Sequence, residues 1–231
     1  MQIYGFNKTT LLDYPRHLAA TIFLGGCNMR CPFCHNASLV TGAAFPPALP
    51  EQAVLSYLEK RKNILEGVCI TGGEPTLYRE LPEFIAKLKD LGYKVKLDTN
   101  GTNPAMLKSL VSQKLIDYVA MDIKNSRENY ALTAGVGTLA LEPIMESADY
   151  LMSSPLEYEF RTTVVKELHT AQDMLSIGRW LAGAKAYYLQ AYKDSGDILS
   201  PGLSSPSAEV LKEYAQLLTP FIPTVHLRGV D

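Results

Sequence analysis

"EGVCITGGEPTLYRELPEFIAKLKDLGYKVKLDTNG", residues 66–101, holds one full repeat of the pattern from which the fold follows. Residues 66–71 are a short β-rich run that stops at Gly72 and Gly73, the mark of a strand. Residues 78–92 then place Leu81, Phe84, Ile85 and Leu88 at i, i+3, i+4 and i+7, and the pattern stops at Gly92. That is an amphipathic helix with a glycine stop. A second strand, 93–99, closes the stretch and runs into Asp98, Thr99 and Asn100. Strand, helix, strand at this spacing is a parallel pair with a right-handed crossover.

The alternation extends in both directions. "HLAATIFL" (17–24), "LIDYVAMDI" (115–123), "EYEFRTTVV" (157–165) and "AKAYYLQAY" (184–192) read as strands. Helical patterns occupy 50–63, 103–113, 139–154, 170–183 and 205–221. The 103–113 segment opens with Asn103-Pro104, a cap followed by proline in the first turn. About six strand–helix units imply an α/β fold with a mostly parallel sheet. Periodicity leaves two architectures open: a doubly wound sheet or a partial (β/α)6 TIM-like barrel. No fixed-period repeat or low-complexity tract interrupts the pattern, and 231 residues suit one domain, 1–231.

Charge excludes some functions. The 22 basic and 24 acidic residues leave −2, with no stripe of Lys or Arg to suit nucleic acid. The opening "MQIYGFNKTT" lacks a basic segment followed by an apolar run, so no secretory signal is expected. The apolar runs fall short of the ~20 residues that a membrane span needs. The chain reads as cytoplasmic. In a reducing cytosol, four cysteines with three clustered point to metal or catalysis rather than to disulfides.

Polar residues collect where the strands end. Gly72-Gly73-Glu74, Asp98-Thr99-Asn100 and Asp122 with Lys124 sit at or past C-terminal strand ends, and "LGGCNMRCPFCHN" (24–36) follows the first strand. Both architectures bind ligands along that edge, so one site is expected. Cys27, Cys31 and Cys34 are spaced C-x3-C-x2-C. Thiolates suit iron–sulfur clusters, zinc or copper(I), and cysteines of one loop can meet three corners of a [4Fe–4S] cubane. Pro32 opposes a helix through the loop. The alternative is a zinc knuckle with His35 as fourth ligand. It asks adjacent side chains, Cys34 and His35, to turn back on one ion. Cys69, the remaining cysteine, lies inside the strand at 66–71, where a small buried thiol is common. It reads as core. One iron is then left without a protein ligand, and an open position binds a cofactor or substrate.

The cysteine motif after the first strand, followed by "TGGEP" (71–75) after the second, resembles the radical S-adenosylmethionine superfamily. Alone, Gly-Gly-Glu-Pro reads as a strand-to-helix turn. "CPFCHN", "DTNG" (98–101) and "MDIK" (121–124), in order, resemble the glycyl-radical-enzyme activating enzymes. The opening through residue 36 is most similar to activators of anaerobic ribonucleoside-triphosphate reductase. Pyruvate formate-lyase activating enzymes share the later motifs but usually carry "DGPG" where this chain has "LDYP" (12–15). The resemblance covers nearly the whole chain and thins after about residue 165.

The resemblance implies the partial (β/α)6 barrel, a [4Fe–4S] cluster on Cys27, Cys31 and Cys34, and S-adenosylmethionine on the open iron. One-electron reduction would split the sulfonium, and the 5′-deoxyadenosyl radical would take hydrogen from a glycine of a partner glycyl radical enzyme. A flavodoxin- or ferredoxin-type protein would supply the electron. No side chain is assigned to the chemistry itself, which the cofactors carry. Gly72 and Gly73 would admit close backbone approach to the methionine moiety, Glu74 would accept from its ammonium, and Pro75 would fix the turn. Phe33 would sit beside the adenine. Asp98 and Thr99 would lie near the cofactor. Asp98, Thr99, Asp122 and the backbone of Ala120 form a candidate monovalent-cation site, with helix capping as the alternative for the two carboxylates. Lys124 and Arg161 would face the cofactor's carboxylate or ribose; for Arg161 surface pairing is the alternative.

Asn36 and His35 would support the loop, and Tyr192 and Lys193 would line a groove for the partner. Trp180 reads as core, and His169 and His226 as surface or hydrogen-bonded. His17 carries no motif. Two other functions remain. One is a radical enzyme acting on a small molecule, such as 7-carboxy-7-deazaguanine synthase, against which "DTNG" and "MDIK" argue. The other is an electron carrier or binding module, against which the GGEP loop argues.

Overall fold

The computed structural model describes residues 1–42 and 47–230. Its strands are β1 (Ile3–Thr10), β2 (Ala19–Leu24), β3 (Gly67–Gly72), β4 (Lys94–Thr99), β5 (Tyr118–Asp122), β6 (Glu157–Val164), β7 (Tyr187–Ala191) and β8 (Val225–Arg228). Its α-helices are α1 (Ala37–Thr41), α2 (Glu51–Arg61), α3 (Leu81–Asp90), α4 (Pro104–Ser112), α5 (Tyr130–Thr133), α6 (Glu142–Ser153), α7 (Ala171–Trp180) and α8 (Ala208–Leu218). The strands are ordered in the sheet as they are in the chain. A doubly wound sheet reverses its order at a switch point. Its absence here leaves the barrel-like order. The six expected strands are β2 to β7. β1 and β8 were not foreseen. β1 interrupts its apolar pattern with Gly5, Asn7 and Lys8, and β8 has only four residues.

The chain divides into two compact units, Met1–Asn28 with Ser38–Ala120, and Met29–Ala37 with Met121–Asp231. In the first, β1 runs antiparallel to β2, and β3 pairs parallel with β2 from Ala19↔Gly67 to Leu24↔Gly72. β4 pairs parallel with β3 from Gly67↔Lys94 to Ile70↔Leu97. β2 and the first four residues of β3 are almost wholly buried, as parallel strands covered on both faces are. α3 buries Leu81, Phe84, Ile85 and Leu88, the four positions that its periodicity marks. Each such side chain contributes about 1.5–3 kcal/mol on burial. The helix ends at Gly92, φ 90°. The Gly92 N–H donates to Lys89 O at 2.8 Å and the Tyr93 N–H to Leu88 O at 3.1 Å. This is a Schellman stop, and its left-handed position suits glycine. α4 opens as expected, with Asn103 Oδ1 accepting from the Met106 N–H at 3.1 Å ahead of Pro104.

In the second unit, β6, β7 and β8 pair parallel, Phe160↔Tyr187 and Tyr187↔Val225 being in register. Tyr130, Tyr187 and Phe160 are among its fully buried large side chains. The Thr162 hydroxyl lies 2.5 Å from the Tyr187 hydroxyl and 2.6 Å from Ile123 O, which satisfies buried polar groups. α7 opens with a capping box between Thr170 and Asp173. Trp180 is half-buried rather than core: it meets Tyr130 edge-on at 6.2 Å, and its buried indole N–H has no partner among the described residues. His226 is exposed beside Tyr188. His17 is half-buried, with Nδ1 2.8 Å from Pro15 O.

Candidate functional site

Within the first unit, three strand ends are tied to one another. β2 runs on into Gly25, Gly26 and Cys27. The Gly73 N–H donates to Leu24 O and the Glu74 N–H to Gly26 O, both at 2.8 Å. A Cβ on Gly73 would stand 1.8 Å from Gly26 O, and one on Gly72, φ 113°, 2.3 Å from Leu24 O. No side chain fits at either position. The backbone that approaches so closely is the chain's own: that of Leu24 at Gly72, and at Gly73 the carbonyl just before Cys27.

Glu74 is 1% exposed. Its Oε1 accepts from the Thr76 N–H at 3.0 Å, the Thr76 hydroxyl at 2.5 Å and the Thr99 hydroxyl at 2.8 Å, and its Oε2 from the Asn100 N–H at 2.6 Å. Burial pushes its carboxyl above the ordinary range, against the pull of those bonds. Glu74 therefore joins the turn after β3 to the end of β4. Four donors within the unit already occupy the carboxylate that was expected to receive a cofactor ammonium.

Asn100 extends this join to the cysteine. Its Nδ2 donates to Asn28 Oδ1 at 2.9 Å and lies 3.9 Å from Cys27 Sγ. Asn28 in turn donates to the Thr102 hydroxyl at 2.8 Å. Asp98 carries an ion pair with Lys96. Cys69 is fully buried, as expected of core, yet its neighbours are charged: Asp98 Oδ1 at 3.8 Å and Lys96 Nζ at 3.7 Å.

Within the second unit, Cys31 and Cys34 bracket a tight turn in which the Cys34 N–H donates to Cys31 O at 3.0 Å. The backbone holds this turn from two sides. The Arg30 N–H donates to Ala134 O at 2.9 Å, and the Ser200 N–H to Pro32 O at 3.0 Å. Gly135, φ 67°, lies so close that a Cβ there would stand 1.9 Å from Arg30 O. Phe33 is buried. His35 is exposed and faces Tyr192 at 5.7 Å. Tyr192 is buried, its hydroxyl without a partner among the described residues, and Lys193 is exposed.

Asp122, at the end of β5, pairs with Lys124 Nζ at 2.9 Å and with Arg161 of β6. Burial alone would raise the Asp122 carboxyl, but the charges of Arg161 and Lys124 hold it well below the usual range. The Lys124 ammonium moves the opposite way. Burial disfavours it, and the charges of Asp122 and Cys31 more than reverse that. The surface-pairing alternative for Arg161 gives way to this part-buried pair. His169, buried rather than on the surface, fixes the backbone here: its Nε2 meets Lys124 O at 2.9 Å, and its Nδ1 accepts from the Val165 N–H at 3.1 Å. The Lys124 carbonyl places the proton on Nε2, and burial keeps the ring neutral by lowering its pKa. Asp173 steadies the loop that follows. It accepts from the Ser126 hydroxyl at 2.6 Å, Asn129 Nδ2 at 2.8 Å, the Thr170 N–H at 2.9 Å and the Thr170 hydroxyl at 2.6 Å.

None of the four cysteines is in a disulfide. Burial raises the Cys34 thiol, while the Asn36 backbone and the Lys124 charge act against it. Metal ligation deprotonates a thiol outright. Three thiols in one loop, two of them close to a lysine charge, are a donor set that suits an anionic iron–sulfur cluster. Among the described residues, no group of three or more His, Cys, Asp or Glu side chains could hold a single metal ion. Among the described residues, no helix is long and apolar enough to cross a membrane.

Sequence reasoning missed Lys96 and Asp173, and placed Asn100 at a strand end without giving it a role. Asn100 stood inside the "DTNG" stretch, and Asp173 was readable as the fourth residue of Thr-x-x-Asp. Lys96 left no signal beyond its place two residues before Asp98.

A family model described as "Radical SAM superfamily" matches residues 21–181. Over 239 aligned residues the chain is 30% identical to a protein of Methanocaldococcus jannaschii provisionally named a glycyl-radical enzyme activating enzyme, covering 99% of this chain and 96% of that one. A stretch of 83 residues is 39% identical to 7-carboxy-7-deazaguanine synthase of Aquifex aeolicus, 35% of each chain. In fold the chain is similar to Streptococcus suis SuiB, solved with its precursor peptide SuiA, at TM-score 0.71 and 15% identity over 89% of this chain. The chain spans 48% of that SuiB chain. SuiB bound to S-adenosylmethionine gives TM-score 0.69. The family match starts in β2 and ends just past α7, enclosing the ends of β2 to β6 and the cysteine loop, and the chain belongs to the Radical SAM superfamily.

Proposed function

We propose that this chain generates a glycyl radical on a partner glycyl radical enzyme, most like an anaerobic ribonucleoside-triphosphate reductase, using S-adenosylmethionine as the radical source. The observation that carries this reading is the extent of one likeness: the relative provisionally named for this activity aligns with 99% of the chain. The order of "CPFCHN", "DTNG" and "MDIK" supports the same class.

Cys27, Cys31 and Cys34 would hold three irons of a [4Fe–4S] cluster, leaving the fourth to the cofactor. When bound, that cluster supplies the electron that splits S-adenosylmethionine into methionine and a 5′-deoxyadenosyl radical. The chain's own part is placement. Gly72 and Gly73 keep side chains away from the methionine moiety, and Phe33 lies beside the adenine. Lys124 and Arg161 offer donors to the cofactor's carboxylate or ribose. Glu74 acts through others: it fixes Thr99 and Asn100, and Asn100 directs an amide toward the Cys27 sulfur. Such donors to a ligating sulfur tune a cluster. A flavodoxin- or ferredoxin-type protein fits as electron donor, in a reducing cytoplasm.

The test is anaerobic. Reconstituted protein, S-adenosylmethionine, reductant and the candidate reductase are combined and read by electron paramagnetic resonance. A glycyl-radical doublet with matching 5′-deoxyadenosine is expected. Cofactor cleavage without a doublet on any glycyl radical enzyme of the same genome would sink the reading. A second reading, a small-molecule enzyme of the 7-carboxy-7-deazaguanine synthase kind, draws on the 39% identity over 83 residues. Turnover of a small molecule without a protein partner would favour it.

A further inference from the structure

We propose that Lys96 is a built-in counter-cation, its ammonium supplying at Asp98 the charge that an inorganic monovalent cation was expected to bring. Side chains alternate along a strand, so Lys94, Lys96 and Asp98 of β4 share one face, and Val95 and Leu97 take the other. Lys94 is exposed, whereas Lys96 is 2% exposed. Lysine is almost never that buried unless it is paired. Its partner is Asp98, by a direct ion pair from Nζ to Oδ1.

The surroundings suit an ammonium better than a metal ion. Lys96 stands in register with Cys69 of β3. The Cys69 sulfur lies 3.7 Å from Lys96 Nζ and 3.8 Å from the Asp98 oxygen that Lys96 holds. A hard cation wants a shell of oxygens; this carboxylate oxygen faces a thiol and a fixed positive charge. A second cation on that oxygen would be repelled by the first. Thr99, the other expected ligand on this strand, is committed as well. Its hydroxyl donates to Glu74 Oε1 at 2.8 Å and accepts from the Gly101 N–H at 3.1 Å.

The consequence is independence from the cation supply. Folding stability, and S-adenosylmethionine affinity in so far as the proposed function is right, should be the same in potassium, sodium and choline chloride at equal ionic strength. The full chain is tested cluster-free and reconstituted, by thermal unfolding and by equilibrium binding. In wild type, the midpoint should move less than about 1 °C and the affinity less than about twofold among the three salts. Lys96→Met keeps the stem and removes the charge. It removes the ammonium that pairs with the half-buried Asp98 carboxylate, so its midpoint in choline should fall by on the order of 10 °C. Potassium or sodium should restore at least half of that loss. Lys96→Met/Asp98→Asn, with both charges gone, should recover much of it and ignore the salt.

A wild-type midpoint that rises in potassium or sodium over choline overturns the proposal. So does a Lys96→Met protein whose midpoint is the same in all three salts. If Lys96→Met does not fold, the wild-type comparison and the double variant still decide. The unfolding arm needs neither cluster nor partner, so it stands or falls separately from the glycyl-radical assignment.

Discussion

Glu74 and Asp173 do the same work in the two units by opposite electrostatics. Each is buried, each accepts four hydrogen bonds, and each joins loops that carry candidate site residues. Glu74 links the turn after β3 to Thr99 and Asn100. Asp173 links the start of α7 to the loop beyond Lys124. Yet burial wins at Glu74 and raises its carboxyl, whereas at Asp173 the bonds from Ser126, Thr170 and Asn129 overcome burial and lower it. The distribution of donors differs too. Glu74 receives three of its four on one oxygen, and Asp173 receives two on each. The number of hydrogen bonds to a carboxylate therefore does not settle its charge. Their balance against desolvation does.

The two units also share a steric device, and the largest effects are expected there. Gly73 and Gly135 each face a carbonyl that a methyl group would strike, Gly26 O at 1.8 Å and Arg30 O at 1.9 Å. Backbone on both sides leaves nothing to give. Gly73→Ala and Gly135→Ala should each cost about 4 kcal/mol or more, or fail to fold. Gly137→Ala, with open space around its Cβ, should change stability by less than about 0.5 kcal/mol. Thermal unfolding of the three decides. A mild Gly135→Ala beside a severe Gly73→Ala would show that only the first unit's loop is rigidly clasped.

Amide substitutions go to the difference itself. Asp173→Asn replaces a charge that four donors favour and puts an amide nitrogen against one pair of them. It should cost about 2–3 kcal/mol. Glu74→Gln replaces a carboxyl whose neutral form burial already favours. It should cost about 1 kcal/mol. Urea denaturation at pH 7 gives both values. The reverse order would break the comparison.

How much of this was legible depended on whether side chains or backbone carry the contact. The βαβ repeat and the cysteine, "TGGEP" and "DTNG" stretches were readable because their chemistry restricts residue type. The clasp on the Cys31–Cys34 turn was not. It is made by Ala134, Gly135 and Ser200, largely through main-chain groups that leave no signature. Lys94 and Lys96 look alike in "YKVKLDT", a pattern that suggests a solvated face, yet one is exposed and the other buried. Only the position of a partner carboxylate separates them. Asp173 was visible as a helix cap, but its reach to Ser126 and Asn129 spans 47 and 44 residues, which no local pattern encodes.

The smallest effect is a difference in slope. Asp173, lowered from its ordinary value of 3.8, binds fewer protons folded than unfolded in the acid range. Its contribution is present above about pH 4 and fades as pH falls. Glu74, raised from 4.5, is the reverse. Its contribution is present below about pH 4.5 and fades as pH rises through the folded value. The stability gap between wild type and Asp173→Asn should therefore shrink from pH 5 to pH 3. The gap between wild type and Glu74→Gln should shrink in the other direction, from pH 4.5 toward neutrality. Urea midpoints of the three proteins across that range measure both slopes in one series. Parallel slopes would mean that the two carboxylates titrate alike, and that the deeper burial of Glu74 does not govern its charge.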